Sequence, residues 1–146
     1  MRLLVSVDLS ESTEKIVDKA AAIATALSAQ VWLLHVAAPE PEFVGLDVGP
    51  QSVRDSVSKA LRKEHTQIQA LADRLRDRGL EATALLIQGE TADTILKEAT
   101  RLDADMIVVG SHGRGRMHQL LVGSISAGVL KASKCPVLVV PTHERG

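Results

Sequence analysis

Apolar residues run without strict alternation through Leu3–Val7, Val31–Val36, Ala82–Ile87, Met106–Val109 and Val137–Val140, and segments of helical period lie between these runs. Strands covered on both faces carry such continuous runs, whereas half-exposed strands alternate. The pattern therefore predicts an α/β domain in which a parallel sheet has helices on both faces. Beyond Ser12 the positions Ile16, Ala20, Ile23, Ala24 and Leu27 trace one helical face. Ser10 or Ser12 is the candidate N-cap, with no Glu or Gln three residues on to complete a capping box. A longer periodic stretch passes through Val57, Leu61, Ile68, Leu71, Ala72 and Leu75, carries Lys and Arg on its other face, and gives way at Gly79. Thr91 opens a third helix, with Ala92, Ile95, Leu96, Ala99 and Leu102 at helical spacing. Residues 123–132 form a fourth, broken by Lys134-Cys135-Pro136. No repeat or linker divides the chain, so residues 1–146 are read as one domain. The segment at about 39–52 is rich in Pro and Gly and follows neither period; it reads as a solvated loop, with a mobile lid as the alternative.

With 45% hydrophobic and 24% charged residues, a chain of 146 can bury one sizeable core. The formal net charge of -1 creates no field that would draw it to nucleic acid or to an anionic membrane. Aromatic residues, at 1%, leave almost nothing to stack on bases. Neither nucleic acid nor a membrane is expected as a partner. The N-terminal apolar run is far too short for a signal-peptide core or a membrane span, which reads as a cytoplasmic protein. Cys135 is the single cysteine, lacks a partner for a disulfide or a metal-ligand spacing, and reads as a small core residue.

The chemistry concentrates in Val108-Val109-Gly110-Ser111-His112-Gly113-Arg114-Gly115, followed after a short basic segment by Gly123-Ser124-Ile125-Ser126. An apolar run ends at Gly110, glycines allow a sharp turn and a close approach to ligand, and a helix begins at Gly123-Ser124. Backbone N–H groups and the helix dipole then face an anion, with the hydroxyls of Ser124 and Ser126 nearby. Ordinary turn chemistry explains one or two glycines, but less easily Gly110, Gly113, Gly115 and Gly123 in so short a span. His112, Arg114, Arg116 and His118 make the loop locally basic, although each taken singly is more often solvated surface. In an open parallel sheet the ligand sits beyond the carboxyl ends of the strands, where the strand order reverses. Asp8 follows the first strand there and is placed to accept hydrogen bonds from ribose hydroxyls; a turn or capping role before Ser10 is the compatible alternative. The loop is neither a Walker A motif, since no Gly-Lys-Ser/Thr closes it, nor the dinucleotide G-x-G-x-x-G that follows a first strand. His35, inside the second apolar run, reads as a hydrogen-bonded core or sheet-end histidine. The five histidines show no metal-ligand spacing, and no nucleophile elbow or H-E-x-x-H occurs.

Asp8 after the first strand, Gly110-x-x-Gly113, nine residues, and then Gly123-Ser124 together resemble the ATP-binding branch of the universal stress protein family. The likeness extends over nearly the whole chain, through Val5-Ser6-Val7-Asp8 with Ser10, His35-Val36, Val108-Val109-Gly110-Ser111-His112-Gly113 and Pro136-Val137-Leu138-Val139-Val140. It implies a Rossmann-like open sheet of five parallel strands in the order 3-2-1-4-5, with ATP, alone or with Mg²⁺, between strands one and four. The nucleotide-binding residues it implies are Val7, Asp8, Val36, Val109, Gly110, His112, Gly113, Gly123, Ser124, Ile125 and Ser126. Among them Asp8 contacts the ribose, the backbone at Val36 meets the adenine, and Gly110, Gly113, Gly123, Ser124 and Ser126 hold the triphosphate. The resemblance also implies a homodimer in which the last strands, here Val137–Val140, pair antiparallel across a two-fold axis. Physically the same pairing is expected, because an unpaired apolar edge strand is an aggregation hazard. Leu9 departs from the family, standing where many members carry glycine or another small residue, and the loop after the second strand is individual.

The leading expectation is a nucleotide-dependent regulator of the stress response, in which bound ATP favours one conformation or partner surface. A slow ATPase is the alternative; it would need an ordered Mg²⁺ and an in-line water, yet apart from Asp8 no acidic residue is clearly poised near the phosphates. An interaction module of the same fold that does not depend on nucleotide is the third reading. No catalytic or metal-binding residue is assigned, and weak ATP hydrolysis is the most that is expected.

Overall fold

The computed structural model describes residues 1–39, 51–112 and 122–142. Strands β1 (Arg2–Ser6), β2 (Gln30–Ala37), β3 (Ala82–Gln88), β4 (Met106–Gly110) and β5 (Val137–Val140) alternate with helices α1 (Thr13–Leu27), α2 (Gln51–Asp77), α3 (Thr91–Arg101) and α4 (Ser124–Ala132). The strands form one sheet in the order β3-β2-β1-β4-β5, with every pairing parallel. This is the Rossmann-like order expected from the resemblance. The helix α2 begins at Gln51, so the last two residues of the expected 39–52 loop are helical. Residues 40–50, and with them the choice between lid and solvated connection, lie outside the described residues.

Each strand serves two cores, because successive side chains of a pleated strand point to opposite faces. On one face Leu3, Val5, Val31, Leu33 and Val108 pack against Ile16, Val17, Ala20 and Ala24 of α1 and Ile68, Leu71, Ala72 and Leu75 of α2. On the other, Leu4, Leu34, Ile107 and Val109 pack against Ile95 and Ala99 of α3 and Val129 of α4. Fully burying each Leu, Ile or Val contributes about 1.5–3 kcal/mol, so the continuous apolar runs stabilise a sheet sandwiched between helices. Across the first core's rim, Glu14 of α1 accepts two hydrogen bonds from the Arg74 guanidinium of α2, at 2.7 and 2.8 Å. That bond holds the Glu14 carboxyl below its ordinary range.

The helix starts fall where the sequence places them, with Thr91 opening α3. Of the two candidates for α1, Ser12 occupies the N-cap position, without a side-chain cap bond. Ser10 closes the preceding turn: its Oγ accepts from the Ser12 N–H at 3.3 Å and its carbonyl from the Thr13 N–H at 3.1 Å. Helix α3 is capped by Glu90, whose carboxylate accepts from the N–H groups of Ala92 at 3.1 Å and Asp93 at 2.7 Å. Donation from the Asp93 N–H, foremost, holds the Glu90 carboxyl below its ordinary range. A depressed folded-state value means the cap's contribution is present above the unfolded glutamate range and is lost as pH falls through the lower folded value. Acid should therefore lower the melting temperature less in Glu90→Ala than in the parent protein, which thermal scans by circular dichroism between neutral and acidic pH will measure.

Candidate functional site

From β1 the chain adds β2 and β3 on one side of the sheet and β4 and β5 on the other, so the order reverses between β1 and β4. Strand ends part there, leaving a crevice at the carboxyl edge. Val5 is in register with Val108, which brings the residues following β1 and those ending β4 to the same edge. Val7 and Asp8 stand on one side of this crevice and Val109 and Gly110 on the other.

Asp8 divides its carboxylate between two roles. Its Oδ1 accepts the Ser10 N–H at 3.0 Å, closing a turn. Its Oδ2 is buried and has no hydrogen-bond partner among the described residues. A buried acceptor without a partner is costly, and such atoms in native structures call for an unseen donor. Between these two residues Leu9 adopts φ 61. That left-handed conformation costs a non-glycine residue about 1–2 kcal/mol, and Leu9 packs against the first core.

Val7 and Val109, each 3% exposed, turn their side chains into opposite cores, and Val36 packs partly buried on the α3–α4 side. Val7 and Val109 therefore address a ligand through main-chain groups alone. Gly110 is placed by packing: a Cβ there would lie 2.9 Å from both Ile16 Cδ1 and Thr142 Cγ2. Helix α4 starts at Gly123, whose N–H donates to the Ser111 carbonyl and whose carbonyl accepts the Ala127 N–H at 2.9 Å. Its N-cap, Gly123, has no side chain to cap it, so among the described residues the N–H groups of Ser124, Ile125 and Ser126 are the ones its first turn leaves for an outside acceptor. The Ser126 hydroxyl is not among these donors: buried at 4% exposure, it donates to the Gly110 carbonyl. Ile125 is an exposed apolar side chain beside them. Gly113, together with Gly115, Arg114, Arg116 and His118, lies outside the described residues.

An anchor that sequence reading did not find ties this region to the end of β5. The Ser111 N–H donates to the Val140 carbonyl at 2.8 Å. Ser111 Oγ accepts the Thr142 N–H at 3.0 Å, and Thr142 Oγ1 in turn accepts the His112 N–H and donates to the His112 carbonyl, both at 3.2 Å. His112 is thus held by its backbone, with its ring Nδ1 3.2 Å from Ser111 Oγ. These partners are some thirty positions apart in sequence, and only the β4–β5 register, Gly110 opposite Val140, could have suggested them. Thr142→Val keeps the shape and removes the hydroxyl; it should lower the unfolding free energy by about 1–2 kcal/mol, to be read from urea denaturation.

A cavity of about 710 Å³ opens at the opposite, amino edge of the sheet, among Arg2, Gln30, Arg78, Glu81 and Asp105. Its charged side chains already have partners: Glu81 accepts from Gln30 Nε2 at 2.8 Å, Asp105 from the Arg2 backbone N–H at 2.7 Å, and the Arg2 guanidinium donates to the Leu102 carbonyl at 2.9 Å. It is therefore no rival to the carboxyl edge.

Comparison with known proteins agrees with this architecture. Residues 1–141 match the profile of the Universal stress protein family. The chain belongs to the universal stress protein family. It is 30% identical over 144 residues to the universal stress protein YxiE of Bacillus subtilis, an alignment covering 95% of this chain and 97% of that one. Among solved structures, protein MJ0577, from Methanocaldococcus jannaschii, superposes with a TM-score of 0.79 at 27% identity, covering 99% of this chain and 97% of its own. A universal stress protein in complex with cAMP superposes with a TM-score of 0.67 at 26% identity, covering 98% of each chain. In this universal stress protein, then, the carboxyl edge carries the Asp8 oxygen and the backbone of Val7, Val36 and Val109, and the first turn of α4 is tied to the end of β4 through Gly123 and Ser126. No helix among the described residues is long and apolar enough to cross a membrane.

Proposed function

We propose that this universal stress protein binds ATP in the crevice between β1 and β4 and works as a nucleotide-dependent regulator of the stress response. The observation that carries the reading is the buried Asp8 Oδ2, which has no partner among the described residues. A ribose hydroxyl is the kind of donor that completes it. Across the crevice the uncapped first turn of α4, at Ser124, Ile125 and Ser126, offers N–H donors and the positive end of a helix dipole to phosphate. Gly123 leaves the approach to that turn free of a side chain. The buried hydroxyl of Ser126, bonded to Gly110, supports the turn from behind rather than touching phosphate. Mg²⁺ would accompany the phosphates as their counter-ion, with Asp8 the carboxylate placed at this crevice among the described residues. A family structure in complex with cAMP supports a nucleotide as the class of ligand.

ATP acts in this reading by stabilising the conformation that binds it, with turnover unnecessary. A homodimer through β5 belongs to the same proposal: Val137, Leu138 and Val139 form a partly buried apolar edge with one sheet neighbour, β4. Antiparallel pairing with a second copy would satisfy its open backbone groups. The cytoplasm, where ATP is abundant, is the proposed location.

The test is to denature freshly purified protein, identify released nucleotide by mass spectrometry, and follow ADP formation by the native protein. Bound or rebinding ATP with negligible ADP production is expected. Failure of both the native protein and protein refolded without ligand to bind ATP would overturn the proposal, and steady ADP release would turn it into a slow ATPase.

A further inference from the structure

Main-chain groups of β2 alternate between their two neighbours. The Gln30 N–H and Leu34 carbonyl bond toward β1, to the Met1 carbonyl and the Val7 N–H, both at 2.9 Å. The Val31 N–H and Ala37 carbonyl bond toward β3, to the Glu81 carbonyl at 2.8 Å and the Gly89 N–H at 3.1 Å. In a strand the N–H and C=O of one residue face the same neighbour and the next residue faces the other. Val36 therefore turns both its N–H and its carbonyl toward the β1 side, at the crevice.

Were the ladder to continue, the Val7 carbonyl would accept the Val36 N–H. Pairing in register ends instead at Ser6 and Leu34. The Val7 carbonyl lies 3.0 Å from His35 Nδ1, and that nitrogen must carry the proton because a carbonyl only accepts. On the far side of the ring, Glu64 Oε2 of α2 stands 3.3 Å from Nε2. His35 is 7% exposed, so the ring is packed in this bridging position.

We propose that His35 is a positioning residue for base recognition: by drawing the Val7 carbonyl to its ring and out of line with the ladder, it leaves the donor and acceptor of Val36 side by side for the edge of a 6-aminopurine. The proposal rests on the nucleotide reading above. Adenine offers a ring-nitrogen acceptor beside an amine donor, and guanine presents the two in the opposite order. A fixed donor–acceptor pair thus favours one base over the other, because the wrong base leaves buried polar groups unpaired.

Two measurements test it. Without ligand, hydrogen exchange followed by NMR should show the Val36 amide exchanging at least about tenfold faster than the ladder-bonded Val7 amide, with adenosine slowing it. In His35→Leu the freed Val7 carbonyl should capture the Val36 N–H. That amide becomes protected without ligand, and the preference for ATP over GTP falls by about tenfold, while affinity for inorganic triphosphate stays unchanged. His35→Asn, which keeps a donor near the Nδ1 position, should retain both parental properties. A Val36 amide already protected in the ligand-free parent, or a base preference intact in His35→Leu, overturns the proposal. If the parent binds no adenine nucleotide, it is the nucleotide reading that fails; the exchange rates of Val36 still decide what His35 does, and the parental measurement stands even if His35→Leu does not fold.

Discussion

Gly123→Val is expected to weaken ATP binding by more than about tenfold, or about 1.4 kcal/mol, and to leave the fold intact. The backbone at Gly123 has φ -68 and ψ 166, an extended conformation open to any L-residue. Its bonds to Ser111 and Ala127 are made by main-chain atoms that valine also carries. What changes is the space ahead of the first turn of α4, where a branched side chain would stand between phosphate and the N–H groups of Ser124 and Ile125. Isothermal titration with ATP and with adenosine separates the effects: adenosine affinity should hold while ATP affinity drops. Near-parental ATP binding would move the phosphate site away from α4.

Asp8→Asn should have an effect of similar size, located at the ribose. In the parent, Oδ1 is committed to the Ser10 N–H and Oδ2 is buried without a partner. An asparagine must keep its oxygen toward Ser10, because its amide nitrogen cannot accept from an N–H. The donating NH₂ then replaces Oδ2, and a ribose hydroxyl loses its acceptor. Loss of a hydrogen bond to a charged acceptor is worth about 1.5–3 kcal/mol, so ATP affinity should fall by roughly tenfold to a hundredfold, with inorganic triphosphate bound as before. Removal of an unpartnered buried charge should hold or raise the midpoint of urea unfolding. Unchanged ATP affinity in a folded variant would show that Asp8 serves the turn alone.

Strands and helices were legible along this chain because both faces of the sheet are covered, so each strand shows as an uninterrupted apolar run and each helix as a stripe. Strand order came from resemblance rather than from periodicity, which carries no information on which strands are neighbours. Asp8, Gly123 and Ser124 were legible as a candidate site because strand ends and helix starts are marked by local composition. Leu9 was legible as a departure, and its φ of 61 gives the reason. Other features were hidden for a common cause: they depend on partners distant in sequence. Ser111 meets Thr142, His35 meets both Val7 and Glu64, and Ser126 turns inward to Gly110. Glu90 was hidden for another reason, since a glutamate at an N-cap is not among the residues preferred there.

A Cβ at Gly110 would press to 2.9 Å on the side-chain ends of both Ile16 and Thr142, so packing by itself favours a residue without a side chain at that position. A chain of this family that had lost all affinity for nucleotide would still be under pressure to keep this glycine. Its presence in a genome sequence is thus a poor diagnostic of ligand binding. Under the proposed function the discriminating position for such surveys is Gly123, where the backbone angles do not resist replacement.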